Sequence, residues 1–345
     1  MRIDHDLAFM LQFENVAWFD NGVVKILDRR IYPMRTEYVI CETYKDVVKA
    51  IQDMVTQSGG PYLAASMAMV LAAYQTRNMS REDSIVFMEQ AAYDITHARP
   101  TTSSRMRKIA YDALDVVKMQ TWNTNDELVA LVKSFAIDEV SQRYARIEKI
   151  GIQLAEKVPH SGTIMTQCFA ETVVGMICRH LRTLGNENVK FICPETRPYL
   201  QGARLTASVI CDMGFDVHVI TDNMPGYILK EKKVDLFTSA SDMITLDGHV
   251  VNKVGTFQIA ALCHYHKIPY YVTGTPSNTH KTMDTVKIEE RNPEEVLSHL
   301  GTKVTMEGVQ AYYPAFDVTP PSLCSGVITE KGIFSPYDLE SYFKD

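Results

Sequence analysis

Cys168 stands between the β-branched run GTIMT and the helical segment ETVVGMICRHL. A thiol at a helix N-terminus is acidified, because backbone N–H groups and the helix dipole stabilise the thiolate. The same place also suits a small buried hydrophobe, the common fate of a free cysteine. Asp242 closes the run VDLFTSAS. A partly desolvated carboxylate among Ala240, Ser241 and Met243 has its pKa moved toward neutrality and can trade protons as a general acid or base. A turn or N-cap aspartate looks the same in sequence. Between them lies ETRPYLQGARLTA, Glu195 to Ala207, where Arg197, Gln201 and Arg204 offer strong donors to a phosphorylated or hydroxylated ligand. A capped helix start, with Thr196 before Pro198, is the alternative there. Asn252 and Lys253 form a second donor pair, read as lying at a helix start before Gly255-Thr256. Neither a Walker A sequence nor a GxGxxG fingerprint is present, which argues against nucleotide chemistry.

The elements that must position these residues change character along the chain. Residues 14 to 41 alternate in short apolar runs, with Asp20-Asn21-Gly22 as a turn signal, and predict a small antiparallel sheet. Helical spacing follows, over Asp46–Gln57 and, after the breaker Ser58-Gly59-Gly60-Pro61, over Pro61–Gln75, which is apolar nearly all round. Ser80 with Glu82 and Asp83 opens a third helix, and ARPTTSSRM is a loop into a fourth. Beyond about residue 150, the runs GTIMTQC, NVKFICPE, DVHVITD, VDLFTSASD and IPYYVTG alternate with helical stretches. That alternation predicts a parallel sheet wound with helices. Ligands of such sheets bind at the carboxyl ends of the strands. The residues following each run therefore become the candidates: Cys168, Glu195-Thr196-Arg197, Thr221-Asp222-Asn223, Asp242 and Gly274-Thr275. The fold class is α/β, with a mainly helical N-terminal domain over residues 1–145 and a parallel-sheet domain over 146–345.

Composition narrows the partners. The 345 residues carry a net charge of −7 and 46% apolar residues, enough for a large core. The acidic balance disfavours nucleic acid, whose binding needs a dense basic surface, yet leaves room for one anionic small molecule. No apolar run reaches the roughly 18 residues of a membrane span, and the N-terminus lacks the basic and apolar parts of a signal peptide. The seven cysteines are scattered without a CxxC pair, against both a zinc site and a disulfide framework. The expectation is a cytoplasmic, soluble protein without metal or cofactor.

The runs ETRPYLQGARLTA, ITDNM, the strand into Asp242, DGHVVNKVGTFQIA and YPAFDVTPPSLCSGVITEKG together resemble the 5-methylthioribose-1-phosphate isomerase family. Its superfamily includes ribose-1,5-bisphosphate isomerase and the α, β and δ subunits of eukaryotic initiation factor 2B. The likeness runs from VAWFDNGVVKILDRRIYP to ITEKG, nearly the whole chain. It implies a Rossmann-like C-terminal domain, a homodimer, and an aldose–ketose isomerase acting on a phosphorylated sugar in methionine salvage. It implies a catalytic pair, Cys168 and Asp242, and ligand contacts from Gly59, Gly60, Arg99, Gln201, Asn252 and Lys253. Phosphate on C1 locks the sugar ring, so the implied chemistry is ring opening helped by Asp242, with Cys168 moving a proton between C1 and C2. A hydride shift is the rival route.

Four positions depart from the family pattern. Ser58 replaces the arginine of the phosphate-gripping turn, Phe169 and Glu171 follow the cysteine in place of asparagine and glycine, and Met243 replaces an arginine after the aspartate. Glu171 is expected to oppose a nearby phosphate or thiolate. Two alternatives stay open on this reading. One is a related substrate, 5-deoxyribose 1-phosphate or ribose 1,5-bisphosphate; the other is a non-catalytic sugar-phosphate-binding or regulatory homologue.

Overall fold

A computed structural model describes residues 2–99, 103–168, 171–231 and 233–344, with backbone only for 103 and 104. The chain divides into two compact units, Met1–Ala145 and Arg146–Asp345. The first opens with the short helix α1 (Phe13–Val16) and a three-stranded antiparallel sheet, β1 (Ala17–Asp20), β2 (Val23–Leu27) and β3 (Tyr38–Cys41). Asn21 and Gly22 join β1 to β2 with positive φ at both, as a tight hairpin of that sequence requires.

Helices follow: α2 (Tyr44–Gln52), α3 (Gly60–Gln75), α4 (Arg81–Thr96), α5 (Ser103–Met119) and α6 (Asn125–Ala155). Thr43 and Asp46 close a reciprocal capping box on α2. The helix is shorter than its apolar spacing suggests. Met54 takes a left-handed φ of 59° and the Val55 N–H closes onto the Ala50 carbonyl, a Schellman-type stop. Helix α3 is buried from Leu63 to Ala73, in keeping with its all-round apolar sequence.

The second unit is built on a seven-stranded sheet. In chain order its elements are β4 (Thr163–Gln167), α7 (Glu171–Thr183), β5 (Lys190–Pro194), α8 (Ala207–Asp212), β6 (Asp216–Ile220), α9 (Pro225–Glu231) and β7 (Leu236–Ser239). The hairpin of β8 (Met243–Ile244) and β9 (Val250–Lys253) follows, then α10 (Thr256–His266) and β10 (Tyr270–Thr273). After α11 (Glu294–Leu297), β11 (Ser298–His299) and β12 (Thr302–Lys303) come β13 (Phe316–Thr319), β14 (Gly326–Ile328) and β15 (Ile333–Phe334).

The large sheet runs β15-β14-β10-β7-β4-β5-β6, parallel except for β15. Its first strand in the chain, β4, is an inner strand between β7 and β5. The chain leaves β4 toward β5 and β6, then returns to β7 on the opposite side, so the strand order reverses between β4 and β7. That reversal opens a crevice at the carboxyl ends of the strands. Below it, Phe237 and Tyr270 stack with ring centroids 4.5 Å apart, both fully buried, and the Tyr270 hydroxyl meets Ser239 Oγ at 2.6 Å. Burial of a side chain like Phe237 stabilises by about 1.5–3 kcal/mol.

A second sheet, β13-β9-β8, sits beside the strand ends. Asn252 and Lys253 are the last residues of β9, opposite Asp317 and Phe316, rather than part of a helix start. Extended pairing to β13 holds them until Gly255, whose φ of 104° turns the chain into α10. The Asp317 carboxylate accepts from the Gly255 and Phe257 N–H groups and caps that helix. Burial raises the Asp317 pKa to about 6, against the pull of those hydrogen bonds. A carboxyl with a raised folded pKa stabilises the fold in its protonated form, below about pH 4, and loses that contribution as pH rises through 6. Asp317→Asn cannot ionise, so its stability relative to the wild type is expected to improve by about 1–2 kcal/mol between pH 5 and pH 7.5. Urea unfolding at the two pH values measures this, and a pH-independent difference would count against a buried, ionising Asp317.

Candidate functional site

The crevice collects several of the residues singled out in the sequence. Parallel pairing sets Gln167 opposite Ser239, so Cys168 and the Ala240–Asp242 segment leave the sheet from neighbouring strands at the same end. Cys168 has φ of 39°, a left-handed conformation that costs a non-glycine residue of order 1–3 kcal/mol and concentrates at functional sites. The Gln167 side chain is buried and donates to the Val254 carbonyl at 3.0 Å, tying the end of β4 to the end of β9. The Asp242 N–H donates to the Val251 carbonyl at 2.9 Å, tying the end of β7 to the same strand. Asn252 is buried and donates to Thr256 Oγ1 at 2.9 Å.

Charge at the site is arranged around the thiol. Burial pushes Cys168 up to about 12; Lys253 and Arg291 pull it down, while Asp242 and Glu171 push it further up. The thiol is therefore the resting form at neutral pH, the opposite of the acidified cysteine that a helix N-terminus alone suggests. Lys253 is 4% exposed, and its ammonium makes no hydrogen bond or ion pair among the described residues. It lies 5.0 Å from the centre of the Phe316 ring. Its pKa is lowered, first by desolvation and then by Arg291 among its neighbours, with Cys168 and Asp242 acting in the other direction. A buried ammonium without a counter-ion is costly and is a ready seat for an anion. Glu171, the first residue of α7, is buried and does oppose the thiolate.

Other expectations come out differently. Asp242 is exposed, because β7 stops at Ser239 and the chain runs out toward β8, so the partial desolvation expected of it is not provided by the protein alone. No helix starts at Thr196. Thr196 and Leu200 have left-handed φ values of 62° and 57°, and the Asp222 carboxylate clamps the Thr196 and Arg197 N–H groups at 2.8 and 2.7 Å. Arg197 is spent on the Val296 and Ser298 carbonyls, and Arg204 on that of Tyr199. Of that trio Gln201 keeps an unused polar atom, and it is an acceptor: its Oε1 is buried without a hydrogen-bond partner. Gly202 follows it, packed so close to the Pro194 carbonyl that a Cβ would lie 1.8 Å away, which folds the Gln201 turn onto the end of β5.

Gly59, Gly60 and Arg99 belong to the first unit. Ser58, with φ of 56°, precedes the two glycines, and Gly60 begins α3. A cation reaches this turn without an arginine at position 58. The Arg143 guanidinium, from α6, lies 2.8 Å from where a Cβ of Gly59 would sit and stacks 5.0 Å from the Tyr62 ring. Arg99 is half-buried after α4. Phe169 and the Pro100-Thr101 pair lie outside the described residues.

A sequence model described as the initiation factor 2 subunit family matches residues 57–336. The chain belongs to that family. Among its relatives is a methylthioribose-1-phosphate isomerase of Thermotoga maritima, 32% identical over 94% of this chain and 96% of its own. Another protein of that name, from Desulforamulus reducens, is 33% identical over 96% and 98%. The crystal structure of 5-methylthioribose 1-phosphate isomerase from Pyrococcus horikoshii superposes with a TM-score of 0.85 at 27% identity, covering 96% of each chain. A structure from A. fulgidus described as translation initiation factor eIF-2B, subunit delta, gives 0.83 at 27%, covering 93% of this chain and 96% of its own. The α/β fold is thus that of the family. Among the described residues no helix is long and apolar enough to cross a membrane, and no group of three His, Cys, Asp or Glu residues could hold a metal ion.

The electrostatics of Cys168 yield opposite-sign tests. Its alkylation by iodoacetamide, followed on the Cys168 peptide to separate it from exposed Cys211, is expected to rise about tenfold per pH unit from 7 to 9 without levelling. Lys253→Gln removes a charge that favours the thiolate and should slow the reaction at each pH. Glu171→Gln removes one that opposes it and should speed it. A plateau near pH 8 in the wild type would contradict the desolvated thiol.

Proposed function

We propose that this chain is an aldose–ketose isomerase for a C1-phosphorylated pentose, 5-methylthioribose 1-phosphate or a close 5-substituted relative. The observation that carries the proposal is the meeting of Cys168 and Asp242 at the reversal point of the sheet, beside the buried ammonium of Lys253, which has no counter-ion among the described residues. The names of the relatives support the same reaction.

Phosphate on C1 prevents free opening of the sugar, so the enzyme must protonate the ring oxygen. Asp242, covered and desolvated once substrate is seated, takes the proton of the Cys168 thiol and gives it to that oxygen as the bond to C1 breaks, leaving Cys168 as thiolate. The cation left at C1 is shared with the phosphate-bearing oxygen. Cys168, as thiolate, takes the proton from C2, and the freed electron pair forms the C1–C2 double bond. The thiol returns its proton to C1, while the C2 hydroxyl proton passes to Asp242 and leaves the ketone. Asp242 then returns this proton to the Cys168 thiolate, so both groups end as they began. Lys253 and Gln201 hold oxygens of the substrate, and the phosphate charge replaces the counter-ion that Lys253 lacks. The Gly59–Gly60 turn and Arg99 are proposed as further phosphate contacts.

Turnover of a panel of C1-phosphorylated pentoses, with product detected by NMR, tests this reading. Cys168→Ser and Asp242→Asn are each expected to lower kcat by about 100- to 10,000-fold with little change in thermal stability. Failure of the wild type to turn over any member, or full activity in either variant, would overturn it.

A further inference from the structure

Lys253 has a companion cation, Arg291, on the Phe316 ring. Arg291 precedes α11, outside every strand of the sheets, yet its backbone N–H bonds to the Tyr313 carbonyl at 2.9 Å and brings it against the β13 end of the crevice. Its guanidinium is wedged between two rings, 5.7 Å from the centre of Tyr199 and 5.6 Å from that of Phe316. The Phe316 ring is the one that Lys253 also approaches. The side chain is only 13% exposed, and Arg291 Nε donates to Glu289 Oε1 at 2.9 Å. That bond uses one of five N–H donors. The Tyr313 hydroxyl is buried beside the Arg291 guanidinium, which interacts with it, and it lies in the field of Cys168 as well.

Two cations close to one buried aromatic ring repel each other, and an anion seated between them relieves that repulsion. Arg291 has Glu289 as counter-ion; Lys253 has none among the described residues. Tyr199 belongs to the turn that carries Gln201, and Phe316 pairs with Lys253 across β9 and β13. Arg291 therefore bridges the two segments that offer polar groups to the crevice, with its orientation fixed by Glu289 and both rings.

We infer that Arg291 is a substrate-binding residue, its guanidinium fork forming with Lys253 a two-cation clamp on a phosphate-type oxyanion of the substrate. The inference rests on the proposed sugar-phosphate reading of the site and adds to it a specific anion ligand. Glu289 serves as its positioning residue, holding Nε so that the terminal amino groups face the ligand. Guanidinium is suited to the task because its planar fork engages two oxygens at once, which an ammonium cannot do.

The test uses the full chain, with α-ribose 1-phosphate as the probe in calorimetry and 5-methylthioribose 1-phosphate in kinetics. Arg291→Gln is expected to weaken ribose 1-phosphate binding and raise KM by about 10- to 100-fold, with a smaller change in kcat. Arg291→Lys keeps the charge without the fork and should fall between Gln and wild type, at least threefold weaker than wild type. Should the Gln variant not fold, the Lys variant decides on the same affinity. Unchanged affinity in the folded variants, or a wild type that does not bind ribose 1-phosphate, would overturn the clamp. A wild type that binds the probe through Arg291 but turns over no pentose phosphate would sink the isomerase reading and leave the clamp standing.

Discussion

Hydrogen bonding between β4 and β7 is the constraint on which the site depends. Each strand is short and buried, and each ends where its backbone must find new partners. Because the two run parallel and in register, their ends reach the same height, and the chain can place one reactive group after each. The small β8–β9–β13 sheet then supplies the partners: Val251 and Val254 take the hydrogen bonds of Asp242 and Gln167. A single structural unit thus positions the thiol, the carboxylate and the Asn252-Lys253 pair. Strain at Cys168, whose φ of 39° departs from the extended strand, is sustained by this double anchoring.

The electrostatics follow from the protein atoms packed around the thiol of half-buried Cys168. Desolvation dominates, and the surrounding charges divide evenly in sign, with two cations and two carboxylates acting on one sulfur. Such a balance leaves the thiolate uphill in the empty protein. On the proposed function, a bound phosphosugar changes it twice over, by neutralising Lys253 and by covering exposed Asp242. Ligand binding and proton affinity are linked in this site, which is what a catalyst that must release its own protons to substrate requires.

Much of this was legible in the chain itself. Alternating β-branched runs and helical stretches mark the parallel sheet, and the rule that ligands bind at strand carboxyl ends points at Cys168 and Asp242 without any structure. The errors have physical sources. Asn252-Lys253 look like a helix start because Gly255-Thr256 signals one, while the pairing partner that keeps them extended, Phe316-Asp317, lies far along the chain. Arg197 and Arg204 look like ligand donors until the carbonyls they serve are known. Arg291 and Arg143 carry no local signal at all. One sits in a charged stretch, IEERNPEE, and the other in a long helix, and only tertiary packing brings them to Phe316 and Gly59.

The central claim is that protons, rather than a hydride, move across the C1–C2 bond, with Cys168 as the carrier. Running the reaction of 5-methylthioribose 1-phosphate in deuterium oxide and reading the ketose product by NMR addresses it most directly. A thiol that exchanges with solvent during the reaction is expected to leave deuterium at C1 of the product. Complete retention at C1 of the hydrogen originally on C2, with no deuterium incorporated, would contradict the account.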